Sequence, residues 1–420
     1  MVGVLLNKKQ KNVILSVTFG NILEWFEIYS YAYFAPILAK VFFNFHSELS
    51  NWIWVFVAFG AGFIMRPLGA ILFGYFGDLI GRKKTFIWSI IIMTMPTFVI
   101  GILPTFAQIG ILAPISLISL RLFQSIPAAG ESPGTFCFLY ENANLDNKRF
   151  MSSWGAFGNQ IGAILGLAES FFMHQIFSEE FLMSWGWRII FWSGAAIGLI
   201  GVFLRHKLHE TPLFLQLEKS NKLTLNTLGR VIRNHKKTIG IGTAYGVINA
   251  STFYLIATYI PTYFNITIGI SSQINAIISF SILFITTILL PVFGIIGDKF
   301  SNRKIMISSA LMIIFLLYPL YLAIDNKNLL LIGIIGFLSI FPITCITALI
   351  PYLLADLFPT NIRFTGVGLA FNLADGIVGG FTPAISLILL KYVPNEAAFC
   401  WFILICSIVS LHFYYKKIKD

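Results

Sequence analysis

The chain has 420 residues, 57% hydrophobic and 11% charged, with a formal charge of +11 at pH 7. Soluble domains carry about 25% charged residues, so this composition excludes an ordinary soluble enzyme and points to a polytopic membrane protein. The cations lie in short turns between apolar runs, which marks membrane anchoring and excludes a nucleic-acid partner.

A span needs about 20 apolar residues. Runs and breaks predict an all-α protein of twelve spans: 13–40, 51–77, 85–103, 109–140, 152–176, 185–205, 237–265, 272–297, 305–324, 328–355, 365–391 and 396–415. Lys8, Lys9 and Lys11 precede the first run, which continues past Phe43, contains Glu24 and Glu27 and lacks a cleavage site; an uncleaved first span is expected. Twelve spans put both termini on one side. Of the 29 Lys and Arg, only Lys40, Arg188, Lys327 and Lys391 fall on the opposite side, and Arg66 and Arg121 fall within spans. The positive-inside rule therefore places both ends in the cytoplasm. The polar stretch 206–236, with Glu210-Thr211-Pro212 near its start, reads as an amphipathic linker on the lipid surface. The expected domains are a six-helix bundle at 1–205, the linker at 206–236 and a second bundle at 237–420. Cys137, Cys345, Cys400 and Cys406 lie inside apolar runs without paired spacing and read as packing residues, not disulfides or metal ligands.

The turn after the second span reads Gly74-Tyr75-Phe76-Gly77-Asp78, then Gly81-Arg82-Lys83-Lys84. Gly294, Gly297 and Asp298 repeat Gly74, Gly77 and Asp78 at a spacing of about half the chain, followed by Asn302-Arg303-Lys304. Arg149-Phe150 precedes Phe157 as Arg363-Phe364 precedes Phe371. Two halves built alike are the layout of a duplicated transporter.

A charge near the bilayer centre costs at least ~2.5–3.5 kcal/mol on insertion scales and needs a partner or a purpose. Glu24 and Glu27 share a face of the first span, and two carboxylates this close in low dielectric make a proton-binding site. Arg66 lies mid-span in the second run. Arg121, Gln124 and Glu131 form a polar stripe on the fourth that must face the bundle interior. A guanidinium there can hold a substrate carboxylate, with Glu131 beside it as a proton carrier; the structural alternative is that these pairs only knit helices. Asp375, after Asn372 in the eleventh span, is either a substrate contact or the cap of a break at Gly376, Gly379 and Gly380. Tyr29, Tyr31, Tyr33, Trp154, Phe253, Tyr254 and Tyr259 offer a cation–π cage for a quaternary ammonium, against the alternative of packing stripes. No HExxH, Walker-type loop or nucleophile elbow occurs, so neither catalysis nor a cofactor or metal is expected, and transport would draw on an ion gradient.

These residues resemble the major facilitator superfamily, and within it the metabolite–proton symporters that include proline/betaine, shikimate, citrate and α-ketoglutarate transporters. The resemblance covers essentially all twelve spans. Its carriers are Gly20-Asn21 through Glu24-Trp25-Phe26-Glu27, Arg66-Pro67-Leu68-Gly69 through Lys84, Arg121-Leu122-Phe123-Gln124 through Glu131, Glu210 through Phe214, and Leu357-Phe358-Pro359-Thr360-Asn361-Ile362-Arg363. It implies two pseudo-symmetric six-helix bundles with a substrate cavity between them and alternating access by rocking. It implies proton coupling at Glu24, Glu27 and Glu131, and solute contacts at Trp25, Arg66, Arg121, Gln124, Asn372 and Asp375. A cytoplasmic latch is implied at Gly77, Asp78, Gly81, Arg82, Asp298, Arg303 and Arg363, in which Asp78 meets a helix N-terminus of the other bundle. Relatives usually carry Asp where Glu27 stands; Asn302 replaces the counterpart of Arg82; and Pro127 and Pro133 flank Glu131, where they should bend the span. Phe364-Thr365-Gly366 and Ala370-Phe371-Asn372 lean toward the proline/betaine members, Gly379-Gly380-Phe381-Thr382-Pro383 toward the citrate-like ones. The long C-terminal coiled coil of some osmosensing relatives is absent, so osmotic activation is not implied. The resemblance implies an inner-membrane symporter of small organic solutes that a monomer suffices to operate; a carboxylate symporter is the alternative within the class, and a passive channel or receptor outside it.

Overall fold

The computed structural model describes residues 6–43, 48–220, 228–255, 272–393 and 397–418. Helix α1, Lys8–Phe42, starts at a capping box: the Asn7 side chain accepts from Gln10 N (2.8 Å) and the Gln10 side chain from Asn7 N (3.3 Å). The remaining helices of the first half are α2 Glu48–Leu79, α3 Arg82–Gly101, α4 Leu112–Glu141, α5 Lys148–Ile176 and α6 Trp187–His206. The second half follows with α7 Leu228–Tyr254, α8 Ser272–Lys299, α9 Asn302–Asp325 and α10 Leu329–Leu357. Helix α11 runs from Arg363–Asn372 through a π-helical turn, Leu373–Gly379, into Gly380–Tyr392, and α12 is Phe399–Lys417. These twelve helices match the predicted spans, with α7 beginning earlier than predicted and residues 256–265 of its predicted span outside the described residues. The polar stretch 206–236 therefore holds a short helix, Pro212–Lys219, and the first turns of α7. Among the described residues, eight helical segments are long and apolar enough to cross a bilayer on composition alone. α1 carries Glu24 and Glu27 inward, and α5 carries Ser152, Ser153, Asn159 and Gln160, so their apolar share is smaller.

The solvation pattern is that of a membrane protein: Met95, Phe315 and Leu330 face outward, while charges lie inside. Lipid offers no hydrophobic drive between helices, so close packing needs small residues. Gly158, Gly162 and Gly166 form such a stripe on α5. A Cβ at Gly162 would lie 2.9 Å from the Phe26 amide nitrogen, and one at Gly166 2.9 Å from that of Ser30. α1 and α5 therefore touch backbone to backbone, and Asn21 Nδ2 donates to the Gly155 carbonyl (3.0 Å). The two halves meet along α2 against α11 and α5 against α8. Gln160 on α5 accepts from Thr286 (2.6 Å) and Thr287 (2.9 Å) on α8. α4 runs unbroken through Pro127 and Pro133. Pro133 has no N–H for the Ala129 carbonyl one turn earlier, and Asn372 of α11 donates to that carbonyl (2.9 Å). The proline thus frees an acceptor for the opposite half.

Candidate functional site

Three polar clusters lie along the molecule. At its middle, Arg66 Nη2 donates to Glu24 (3.0 Å), and Arg66 Nη1 stands 3.7 Å from Asp375 Oδ2. Arg66 and Glu24 belong to the first half and Asp375 to the second, so one guanidinium joins two carboxylates across the interface. Ser132 donates to the other Glu24 oxygen (2.7 Å) and accepts from Trp25 Nε1 (3.2 Å). Asp375 sits on the π-helical turn, which continues the helix where a break was the alternative, and Tyr254 donates to it (3.4 Å). A π turn inserted in an α-helix is a recurrent mark of function.

Farther from the charged turns, Glu27 accepts from Gln124 Nε2 (2.6 Å) and from the Thr97 hydroxyl. Arg121 donates to Gln124 (2.9 Å) and stacks on Tyr31, its guanidinium carbon 4.2 Å from the ring centre. Nearer the charged turns, Glu131 is held by Arg205 Nη1 (2.9 Å) and Nη2 (2.6 Å) and by the Ser89 hydroxyl; Arg205 also donates to the Phe86 carbonyl (2.8 Å). Glu131 and Arg205 are both 0% exposed. This corrects two expectations. Glu131 is partnered by Arg205, not Arg121, because ten residues along α4 carry it about three turns away. Arg205, counted among the cytoplasmic cations, is fully buried at the inner end of α6.

A cavity of about 30 Å³ at the interface, room for about one water, is lined in part by Trp25, Asn159, Gln160, Asn249, Phe253 and Asp375. An organic solute enters only if the halves part. Trp25, Tyr29 and Phe253 pack around it: Trp25 and Phe253 meet edge-on at 5.4 Å, Trp25 and Tyr29 stack at 6.2 Å, and Phe253 and Tyr254 meet at 5.5 Å. Tyr33 packs against the same cluster, 5.9 Å from Tyr29, but the rest of the expected cage disperses: Tyr31 is on Arg121 and Trp154 packs on Phe157 (4.7 Å), while Tyr259 lies outside the described residues.

At the charged turns, Asp78 accepts from Phe364 N (3.1 Å), Thr365 N (2.9 Å) and Thr365 Oγ1 (2.8 Å) at the start of α11. Asp298 accepts from Arg149 N (2.9 Å) and Phe150 N (3.0 Å) at the start of α5. Each carboxylate caps a helix of the other half, where free N–H groups and the dipole favour an anion. Arg82 donates to the Gly77 carbonyl (2.8 Å) and, across the interface, to the Thr360 carbonyl (2.6 Å). Arg82 (3.4 Å) and Arg363 (2.8 Å) share the buried Glu141. A Cβ at Gly77 would lie 2.5 Å from the Phe364 ring, and Gly81 takes φ +106°, which favours glycine. Glu210 of the linker accepts from Lys83 N (3.0 Å), its carboxyl raised by burial against these backbone bonds. Arg303 is corrected: it stacks on Tyr415 of α12 at 4.9 Å, and Asn302 takes the inner position. The Asn302 amide faces Arg149, its oxygen accepting from Nη2 (2.8 Å) and Nε (3.2 Å) in the orientation that satisfies both groups.

Sequence reading missed Arg205, Glu141, Ser132, Thr97 and Asn159. Glu141 ends an apolar run beside a turn, where a charge draws no attention. The serine between Glu131 and Pro133 was a usable signal. All four cysteines are buried and free of disulfides. Among the described residues no group of three or more His, Cys, Asp or Glu is placed to hold a metal.

The family model described as Major Facilitator Superfamily matches residues 17–383. The chain is 31% identical over 413 residues to the proline/betaine transporter of Escherichia coli K12, covering 96% of this chain and 82% of that protein. It is 30% identical over 409 residues to the citrate-proton symporter of Klebsiella pneumoniae, covering 96% and 91%. Among solved structures it shares the fold of the proton:xylose symporter XylE bound to 6-bromo-6-deoxy-D-glucose, with TM-score 0.81 at 16% identity over 98% of this chain and 96% of that one.

Proposed function

The chain belongs to the Major Facilitator Superfamily, and from that premise we propose that it is a proton-coupled symporter, not an enzyme, importing a small organic solute of the proline/glycine betaine type. It works by alternating access in the cell inner membrane with both termini cytoplasmic, and one chain forms a whole pathway between bundles 1–205 and 237–420, joined by the linker 206–236. The observation that carries this reading is Arg66, held by Glu24 of its own bundle and 3.7 Å from Asp375 of the other. The similarity to proline/betaine transporters and citrate-proton symporters supports it.

A solute carboxylate arriving at Arg66 competes with Glu24. Releasing Glu24 as an anion into a dry interface is costly, so it leaves the guanidinium protonated. Solute and proton then bind together, and each neutralises the charge the other exposes. Glu27, held by neutral donors and the more distant Arg121, is a second proton site toward the outer side. Glu131 we assign to structure, because Arg205 occupies both of its carboxylate oxygens. Asp78 and Asp298 latch the cytoplasmic side, and rocking releases both helix caps at once.

A di- or tricarboxylate symporter is the second reading, favoured by the two buried guanidiniums Arg66 and Arg121. A passive channel would need neither latch. Uptake into proteoliposomes decides: an inward gradient of one pH unit is worth about 1.4 kcal/mol per proton and supports about tenfold accumulation. Accumulation of proline or betaine that collapses with the gradient is expected. Uptake indifferent to the gradient would remove the coupling, and accumulation of citrate alone would favour the second reading.

A further inference from the structure

We propose that the pocket between α1, α7 and α11 receives the two ends of a zwitterion separately, with the carboxylate on Arg66 and a quaternary ammonium against Trp25 and Phe253, facing Asp375. This rests on the transporter reading above and assigns its solute class to particular groups.

Three observations carry it. Arg66 is 3% exposed, yet its Nη1 has no hydrogen-bond partner, since Asp375 at 3.7 Å is too far to accept. A buried donor left unmade costs about 1–3 kcal/mol, so this atom is a ready seat for an incoming carboxylate oxygen. The second observation is charge. Glu24 and Asp375 bring two carboxylates to one guanidinium. An anion added there deepens the imbalance, whereas a zwitterion adds no net charge and places a cation beside the surplus carboxylate. The third is shape. Asp375, Trp25 and Phe253 line the same cavity, and the Trp25 and Phe253 rings stand at 88° to each other. Ring faces attract a quaternary ammonium, which has no N–H to donate and gains most from such surfaces. The Tyr29 hydroxyl beside them is buried without a partner, a second unmade donor in the same region. Asp375 is thus the residue that separates zwitterions from anions, and the π turn sets it where it faces Arg66.

The test is equilibrium binding to the purified chain, read by tryptophan fluorescence at fixed pH with no gradient. The probes are glycine betaine; 3,3-dimethylbutanoate, which replaces its nitrogen by carbon and keeps the carboxylate; and choline, which keeps the ammonium and lacks the carboxylate. The wild-type chain is expected to bind glycine betaine at least tenfold more tightly than either. Asp375→Asn is expected to bring glycine betaine and its carbon isostere within about threefold of each other, mainly by weakening glycine betaine. Phe253→Leu leaves every charge in place and is expected to narrow the same ratio, so the test survives if Asp375→Asn does not fold. Equal binding of glycine betaine and the isostere by the wild-type chain would overturn the proposal, as would a preference unchanged in both variants. The symport reading fails separately. Gradient-driven uptake without charge preference sinks this assignment alone, and the preference without gradient-driven uptake sinks the coupling alone.

Discussion

The two latches share a backbone geometry and differ in everything around it. Asp78 and Asp298 each cap a helix of the opposite half with two backbone N–H bonds. Behind Asp78 stands a buried network in which Arg82 lies 3.2 Å from it and Glu141 is shared by Arg82 and Arg363. The second half has the same positions with weaker occupants. Asn302 stands for Arg82, and the carboxylate near the end of α10, Asp356, is exposed where Glu141 is buried and accepts from the Tyr140 hydroxyl. Arg149, the counterpart of Arg363, is 3.9 Å from Asp298 and stacks on Tyr352 at 4.3 Å. Duplication fixed the helix-cap contact, and the charges around it diverged. The linker joins the stronger side through Glu210 and through Thr211, which donates to Glu141 (2.5 Å).

That asymmetry can be broken one group at a time. Cys137 is buried beside the first latch, so its reaction with a thiol reagent, with the other three cysteines replaced, reports opening. Glu141→Gln should have the largest effect. Removing one partner of a buried ion network costs about 3–5 kcal/mol, and two guanidiniums lose their anion at once; labelling should rise more than a hundredfold. Asp78→Asn loses the anion–dipole term and charge-assisted bonds, up to about 2 kcal/mol. Labelling should rise roughly ten- to thirtyfold, with expression retained and uptake impaired; near-normal uptake would remove this latch from the transport cycle. Asp298→Asn should do the same at severalfold, since the second latch has less to lose. Asp356→Asn should change labelling less than twofold, because an exposed carboxylate contributes little. An Asp298 effect equal to that of Asp78 would erase the asymmetry.

The latches were legible because their signal is local. Gly77-Asp78 and Gly297-Asp298 repeat within a few residues of charged turns, and a carboxylate there needs N–H donors that a helix start provides. The central carboxylates were legible because charge in an apolar run is expensive and therefore conspicuous. Arg66 and Gln124 were legible for the same reason, but the remaining partners were not. Arg205 ends an apolar run, where a cation reads as a membrane-surface anchor, and nothing in the sequence ties it to Glu131 on α4. Thr97, Ser132 and Asn159 are cheap enough in a membrane helix to leave no mark. The π turn at Asp375 escaped because its register is set by contact with α2 and α7, not by Gly376 or Gly379 alone. Arg303 was carried over with the latch by resemblance, although Asn302 holds the position that matches Arg82, and the sequence does not show that Arg303 turns toward Tyr415.

The central claim is that Glu24 exchanges Arg66 for a proton as the solute binds. It is tested most directly in proteoliposomes containing Glu24→Gln, by comparing glycine betaine accumulation under an inward proton gradient with exchange of labelled for unlabelled glycine betaine at equal pH. The account predicts that exchange continues while accumulation falls to the level reached without a gradient. Accumulation at the wild-type level in Glu24→Gln would contradict it.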